Sequence, residues 1–359
     1  MRVLIIGNGN IFGMPYLKYY SDVLECKGID YDLLYWDRLD IQESDKSNYI
    51  RFTEKTRGKG LESLSGYLNY YKFAKSLFTS KKYDVYIVFT TQMAILFGYL
   101  LRNRPYILDI RDYTYEYNPI YRYLENRLVD AAIMNTISSE GFLEWLPKGY
   151  SYTMSNNISF DNGMVDIIPF DFETHNISYL GAIRYLDGNL DFIKVCKDIN
   201  NFEVHYHGVS HVGAQIAEYC NKSQISNVTM HGMFEDGELP ILYGRANFIL
   251  SVYGTYSMNT KTLLPNRLYG ACTLRRPIIV SSGTYLADVV NKYGLGVVFD
   301  PNEPQGLRPQ LEWYYTPENY AQFCIKCEAY LAHARMQNEL FPITLESVLG
   351  KYNNTAYAD

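Results

Sequence analysis

Lys261, Asn266 and Arg267 lie close to a single proline in the run Asn259-Thr-Lys-Thr-Leu-Leu-Pro-Asn-Arg-Leu-Tyr-Gly-Ala-Cys-Thr-Leu-Arg-Arg-Pro277. Pro265 suits the first turn of a helix, where its missing N–H has no partner to lose. Leu268, Ala271 and Cys272 then share one face at i, i+3, i+4 spacing. The N-terminus of a helix has free N–H groups and a positive dipole end. Two cations and an amide beside it suit an anion, most simply a phosphate or diphosphate. The same run also reads as a solvated basic helix in an ordinary α/β unit. Its order is polar loop, short helix, buried strand Pro277-Ile-Ile-Val280 and glycine turn Ser281-Ser-Gly283.

A second group follows the apolar run Tyr106–Ile110, in Asp109-Ile-Arg-Asp-Tyr-Thr-Tyr-Glu116. Ligands of open α/β sheets bind at the carboxyl ends of strands, so Arg111, Asp112 and Glu116 are placed for chemistry. A capping Asp with a surface ion pair is the other reading. Near the start, Gly7-Asn-Gly-Asn-Ile-Phe-Gly13 resembles a dinucleotide fingerprint whose third glycine comes one residue late. Asp30 and Asp32 precede or enter the second strand rather than end it, so the acidic ribose partner is poorly defined. The turn, with Gly9 and Asn10, still lets a ligand approach the backbone. His205 and His207 share a strand face and His211 follows, but no Asp, Glu or Cys joins them at ligand spacing, so no metal is expected. The six cysteines, Cys324 and Cys327 among them, read as buried free thiols in a reducing compartment.

These residues need strands to carry them. Apolar runs predict strands at Val3–Ile6, Tyr31–Trp36, Val85–Phe89, Tyr106–Ile110, Ala131–Asn135 and Tyr152–Ser155. A second series follows at Ile177–Leu180, Phe202–His207, Val228–His231, Phe248–Val252, Pro277–Val280 and Gly296–Phe299. Asn156 to Thr174 has no clear period and reads as a linker, and the pattern after Thr316 is helical. The 359 residues therefore divide into an α/β domain over 1–165, a second over 166–335, and a helical segment, 336–359, expected to pack back on the first.

Net charge is −6, which argues against a nucleic-acid partner. Residues 51–82 depart from that balance. Arg51, Lys55, Arg57, Lys59, Lys72, Lys75, Lys81 and Lys82 stand against Glu54 and Glu62, eight basic to two acidic, a local +6. Leu61, Leu64, Leu68, Tyr71 and Phe78 run among them at near-helical spacing. A basic amphipathic helix suits an anionic membrane surface or acceptor, or a plain solvated face. The chain opens directly into a strand, so no signal peptide is expected. The uncharged run Val85–Leu101 is too short to span a bilayer comfortably.

The order of motifs narrows the function. Gly7, Asp109-x-Arg-Asp112, Gly181-x-x-Arg184, Gly208, Gly232, Glu238-Leu-Pro-x-x-Tyr243, Pro265-Asn-Arg-Leu-Tyr269, Arg276-Pro-Ile-Ile279 and Gly294-Leu-Gly296 follow one another. This series resembles the GT-B glycosyltransferases, specifically the bacterial family-4-like enzymes of capsular, exopolysaccharide and O-antigen synthesis. The resemblance covers nearly the whole chain and is most specific from Gly232 to Gly296.

It implies two Rossmann-like domains facing across a cleft, a nucleotide-sugar donor held by the second and a glycan or lipid-linked glycan acceptor held by the first. It implies no metal and no cofactor, because basic side chains and a helix N-terminus neutralise the leaving diphosphate. UDP is the expected donor nucleotide, retention the expected stereochemistry, and the cytoplasmic face of the membrane the expected place. Carried onto this sequence, Gly181, Arg184 and Lys261 meet the diphosphate. Gly208 and Gly232-Met233-Phe234 lie near the base, Asn266, Arg267, Leu268 and Tyr269 line nucleotide and phosphates, and Asp112 faces the acceptor beside Gly9, Asn10, Arg111 and Glu116.

Three positions depart from the family pattern. Gly270 stands where a ribose-holding glutamate is usual, Tyr253-Gly254 where a second acid is expected, and Gly188-Asn189 where a lysine often follows the arginine. A non-catalytic binding subunit of a polysaccharide-assembly complex, and a nucleotide-sugar 2-epimerase, are the alternatives.

Overall fold

The protein's structure, a computed structural model, describes residues 1–54, 61–158, 160, 165–199 and 201–353. It divides into two compact units, Met1–Asn156 with Met336–Asp359, and Asn157–Arg335.

The first unit is built on a seven-stranded sheet of β1 (Arg2–Ile6), β2 (Asp30–Asp37), β3 (Tyr49–Thr53), β4 (Val85–Phe89), β5 (Tyr106–Ile110), β6 (Met134–Ile137) and β7 (Tyr152–Met154), in the order β3-β2-β1-β4-β5-β6-β7. All its pairings are parallel. Helices such as Leu17–Cys26, Thr91–Leu101 and Pro119–Ala131 make the crossovers. Strands covered on both faces read as continuous apolar runs, and Val3 to Ile6 and Val85 to Phe89 are fully buried or nearly so. The core beneath β1 and β4 is completed by Phe341, Leu345 and Leu349 from the end of the helix Pro317–Asn353.

The second unit carries six parallel strands: β8 (Asn176–Leu180), β9 (Glu203–His207), β10 (Val228–Gly232), β11 (Phe248–Ser251), β12 (Ile278–Ser281) and β13 (Gly296–Phe299). Their order is β10-β9-β8-β11-β12-β13. Each sheet reverses its strand order once, between β1 and β4 and between β8 and β11. Such reversals open a crevice at the carboxyl ends of the strands.

Several expectations need correcting. Arg51 belongs to β3, an edge strand, and the helix begins only at Leu61. That helix buries Tyr70, Ala74 and Phe78, while Leu64 and Leu68 are exposed. The strand expected at Ala131–Asn135 lies at Met134–Ile137, because Ala131 still closes the preceding helix. The stretch before Pro265, read as a loop, holds the short helix Met258–Thr262, with Ser257 and Thr260 forming a capping box. Among the described residues no helix is long and apolar enough to cross a membrane.

Candidate functional site

Arg267 is the centre of the second unit's switch point. Its helix, Asn266–Thr273, starts after Pro265. The side chain reaches the exit of β8, where Nε donates to the Leu180 carbonyl at 2.5 Å and Nη1 donates to the Tyr253 hydroxyl at 2.7 Å. The guanidinium lies 3.7 Å from the centre of the Tyr179 ring. Nη2 approaches Gly181, where an added Cβ would sit 3.7 Å away. Arg267 has no ion pair among the described residues, and its polar partners are carbonyl and phenol oxygens. Carbonyls and ring faces hold a guanidinium in place without neutralising it. The site is a fixed positive charge beside a glycine turn with φ of 102°.

The other predicted donor residues are arranged around it unequally. Gly181, Gly208 and Gly232 end three neighbouring strands, all with positive φ. Gly208 donates to the Gly232 carbonyl at 2.6 Å, and a Cβ on Gly208 would stand 2.1 Å from the Gly181 carbonyl oxygen. This backbone packing admits no side chain. Arg184, Lys261, Asn266 and Met233 are exposed, and Phe234 is half-buried. Leu268 and Tyr269 are fully buried in the core, with the Tyr269 ring stacked at 6.1 Å on Tyr330.

His207 and His231, which precede two of these glycines, stack at 4.3 Å and 5°, and His205 Nδ1 lies 3.0 Å from His231 Nε2. Burial and its imidazole neighbours bring His207 down to about 4. No group of three His, Cys, Asp or Glu among the described residues is arranged to hold a metal.

The departures from the family pattern have physical counterparts. A Cβ at Gly270 would meet the buried Tyr243 hydroxyl at 2.7 Å, so a glutamate stem has no room. Asn189 is fully buried and donates to the carbonyls of Arg184 (2.8 Å) and Tyr185 (2.9 Å), while accepting from the Tyr206 hydroxyl. It ties down the turn that carries Arg184. Tyr253 presents its hydroxyl to Arg267 in the region where an acid was expected.

In the first unit, Asn10 is turned inward, donating to Asp37 (2.8 Å) and Glu43 (2.9 Å). Glu43 also accepts from the amides of Ile11 (2.7 Å) and Phe12 (2.8 Å). The amides that a dinucleotide's diphosphate would require are therefore occupied by a carboxylate of the same chain. Arg111 is buried, held by Asp109 at 2.6 Å, by the Ser155 carbonyl at 3.1 Å and over the Tyr16 ring at 4.1 Å. Asp112 and Gly9 are more open, Asp112 exposed and Gly9 half-buried. Glu116 points inward, accepting from the Thr114 amide and from Thr91 Oγ1 at 3.3 Å. It hydrogen-bonds Glu125, whose carboxyl is raised to about 8 by burial and then by Glu116. The sequence placed Glu116 at the site but gave no sign of this partner. Glu125 lies on the helix Pro119–Ala131, on a face whose burial only the fold decides.

The basic segment is partly spent on internal pairs. Arg51 binds Asp37 (2.8 Å) and Asp40 (2.6 Å), and Lys81 binds Asp32 (3.1 Å). Lys72, Lys75 and Lys82 remain exposed. Lys55, Arg57 and Lys59 lie outside the described residues, as does the side chain of Glu62.

Two parallel-sheet α/β units, each with one strand-order reversal, define the architecture as GT-B. The likeness to solved structures agrees with it. Sucrose-phosphate synthase from Thermosynechococcus elongatus superposes with a TM-score of 0.73 at 13% identity, over 97% of this chain and 100% of that one. Anabaena HepE in complex with UDP-glucose gives 0.72 at 12% identity, over 97% and 100%. WaaG, a glycosyltransferase involved in lipopolysaccharide biosynthesis, gives 0.63 at 12% identity, over 97% and 98%. No protein family's sequence pattern matches the chain, and no curated protein matches it.

Proposed function

We propose that this protein transfers a sugar from a nucleotide diphosphate sugar to a hydroxyl of a glycan acceptor in cell-surface polysaccharide synthesis, with retention and without a metal. The observation that carries this reading is Arg267, a caged guanidinium beside Gly181 with no carboxylate partner among the described residues. A leaving diphosphate is the anion such a charge serves. Arg184 and Lys261, both exposed, are the mobile cations that join it. Each charge-assisted contact felt only in the transition state is worth roughly 1.5–3 kcal/mol, about ten- to a hundredfold in rate. Gly208 and Gly232 border the base, and uridine is its proposed identity, since the similar HepE is described with UDP and UDP-glucose. Asp112 orients or deprotonates the acceptor hydroxyl.

The acceptor is lipid-linked and met at the cytoplasmic membrane face. Exposed Leu64, Leu68, Lys72 and Lys75 follow one another at helical spacing on the helix Leu61–Ser80, an apolar then basic stripe suited to an anionic surface. A second reading, a subunit that binds nucleotide sugar without turnover, draws support from Gly270, where the ribose-holding glutamate has no room.

The test is thermal unfolding with UDP, GDP, CDP and dTDP, with and without Mg²⁺, followed by turnover. One diphosphate at about 100 times its dissociation constant is expected to stabilise the fold by roughly 2.7 kcal/mol without metal. Arg184→Ala is expected to cut turnover at least tenfold while the protein stays folded. No response to any diphosphate sinks both readings, and binding without turnover selects the second.

A further inference from the structure

The first unit has a cavity at the opposite end of its sheet from Asp112. It measures about 790 Å³, within the roughly 300–1,000 Å³ of small-molecule sites. It lies where the helix Thr91–Leu101 turns through Arg102 and Arg104 into the amino end of β5, with Leu124 and Arg127 of the next helix on its other side. Strand β5 separates it from Asp112 by about 15 Å at 3.3 Å per residue.

Three guanidiniums line this cavity. Arg104 is fixed by its ring neighbours, 5.0 Å from the centre of Phe78 and 5.6 Å from that of Tyr86. Its Nη1 is buried and has no hydrogen-bond partner among the described residues. A buried charged donor left unmade is expensive and calls for an acceptor. Arg127 is oriented by the Tyr123 hydroxyl at 3.3 Å, and Arg102 is exposed beside it. Asp130, the acid at the end of that helix, accepts from the Tyr150 hydroxyl at 2.9 Å and acts electrostatically on Arg127. Arg102 and Arg104 have no ion pair among the described residues. Glu125 is buried against Glu116. Apart from Asn103, the remaining wall is apolar or aromatic, with Ile95, Tyr99, Leu124 and Tyr352 among its residues.

We propose that this cavity is a second anion site, binding a phosphate-bearing ligand whose apolar portion rests on Tyr99 and Leu124. Arg104 supplies a fixed positive charge behind the phosphate, and the exposed Arg102 and Arg127 contact it, with the fork geometry that favours arginine at phosphates. The phosphate belongs either to a soluble ligand or to a lipid headgroup. The site is independent of the sugar-transfer reading, because its residues and its strand end are separate from those of Arg267.

The experiment uses the full chain. Calorimetric titration with inorganic phosphate and pyrophosphate is run beside flotation with phosphatidylglycerol and phosphatidylcholine vesicles. Wild type is compared with Arg104→Gln, with Arg102→Gln/Arg127→Gln, and with Arg184→Ala. Anion binding that survives Arg184→Ala is expected to weaken at least fivefold in both of the other variants. Flotation with phosphatidylglycerol alone, lost in the same variants, assigns a headgroup. Pyrophosphate binding without flotation assigns a soluble ligand. If Arg104→Gln fails to fold, the surface double variant decides. Wild-type binding in that double variant, or no binding of either probe to the wild type, overturns the proposal. Failure of UDP binding with this binding intact condemns only the sugar-transfer reading.

Discussion

Glu125 holds a proton at neutral pH, because burial beside Glu116 raises its carboxyl from 4.5 to about 8. The folded chain therefore binds a proton that the unfolded chain releases across that interval. The stability this contributes is fully present below pH 4.5 and is lost as pH rises through 8. Denaturant melts at pH 5 and pH 8.5 are expected to differ by on the order of 2–4 kcal/mol from this group. Glu125→Gln should flatten that difference, and an unchanged slope in the variant would show that the carboxyl titrates normally. At this scale the sequence was only partly legible. It grouped Arg267 with Lys261 and Asn266 around Pro265 as suited to an anion, and the structure fixes Arg267 by hydrogen bonds while Lys261 and Asn266 are exposed. It could not name Tyr179 and Tyr253, which frame Arg267 from distant strands and are two of 36 tyrosines. It marked Asn10 and Arg111 as open to a ligand, whereas Asp37 and Asp109 hold both inward.

Arg276 shows what elements require of single side chains. It is 1% exposed and donates to the carbonyls of Tyr243 (3.2 Å), Gly244 (2.7 Å) and Ile168 (2.7 Å). It thus ties the end of the helix Leu239–Arg245 to the segment leading into β8. Arg276→Ala strands these buried acceptors and is expected to lose about 3–5 kcal/mol, read as a lowered urea midpoint with UDP binding retained at low denaturant. A loss under 1 kcal/mol would show that water replaces the guanidinium. Strands buried on both faces were legible as apolar runs, as β4 and β12 were. Strand β3 was not, because at the sheet edge its Tyr49 to Phe52 are only partly buried, Thr53 is exposed and Arg51 gives it a polar look.

For the whole molecule, two parallel α/β domains could be read from the alternation of strands and helices alone. The pairing order could not, since the central strands share one apolar character and sequence spacing does not say where the order reverses. The first unit is assembled from both ends of the chain. Leu345 is fully buried among β1 and β4 residues although 260 positions separate it from Val85. Leu345→Ala is expected to destabilise the first unit by about 2–5 kcal/mol. Hydrogen exchange that speeds up in β1 and β4 while β8 and β11 keep their protection would check it; faster exchange in β8 and β11 alone would contradict the assignment of this residue to the first core.

The helix Pro317–Asn353 also sets an order on biosynthesis. Translation runs from the first residue to the last at about 5–20 residues per second. The first unit's strands emerge by residue 154, yet the unit lacks Phe341, Leu345 and Leu349 until the ribosome has passed the whole second unit. The second unit has its residues complete by Arg335, before that core can close. The nascent first sheet spends that interval with part of its apolar surface uncovered.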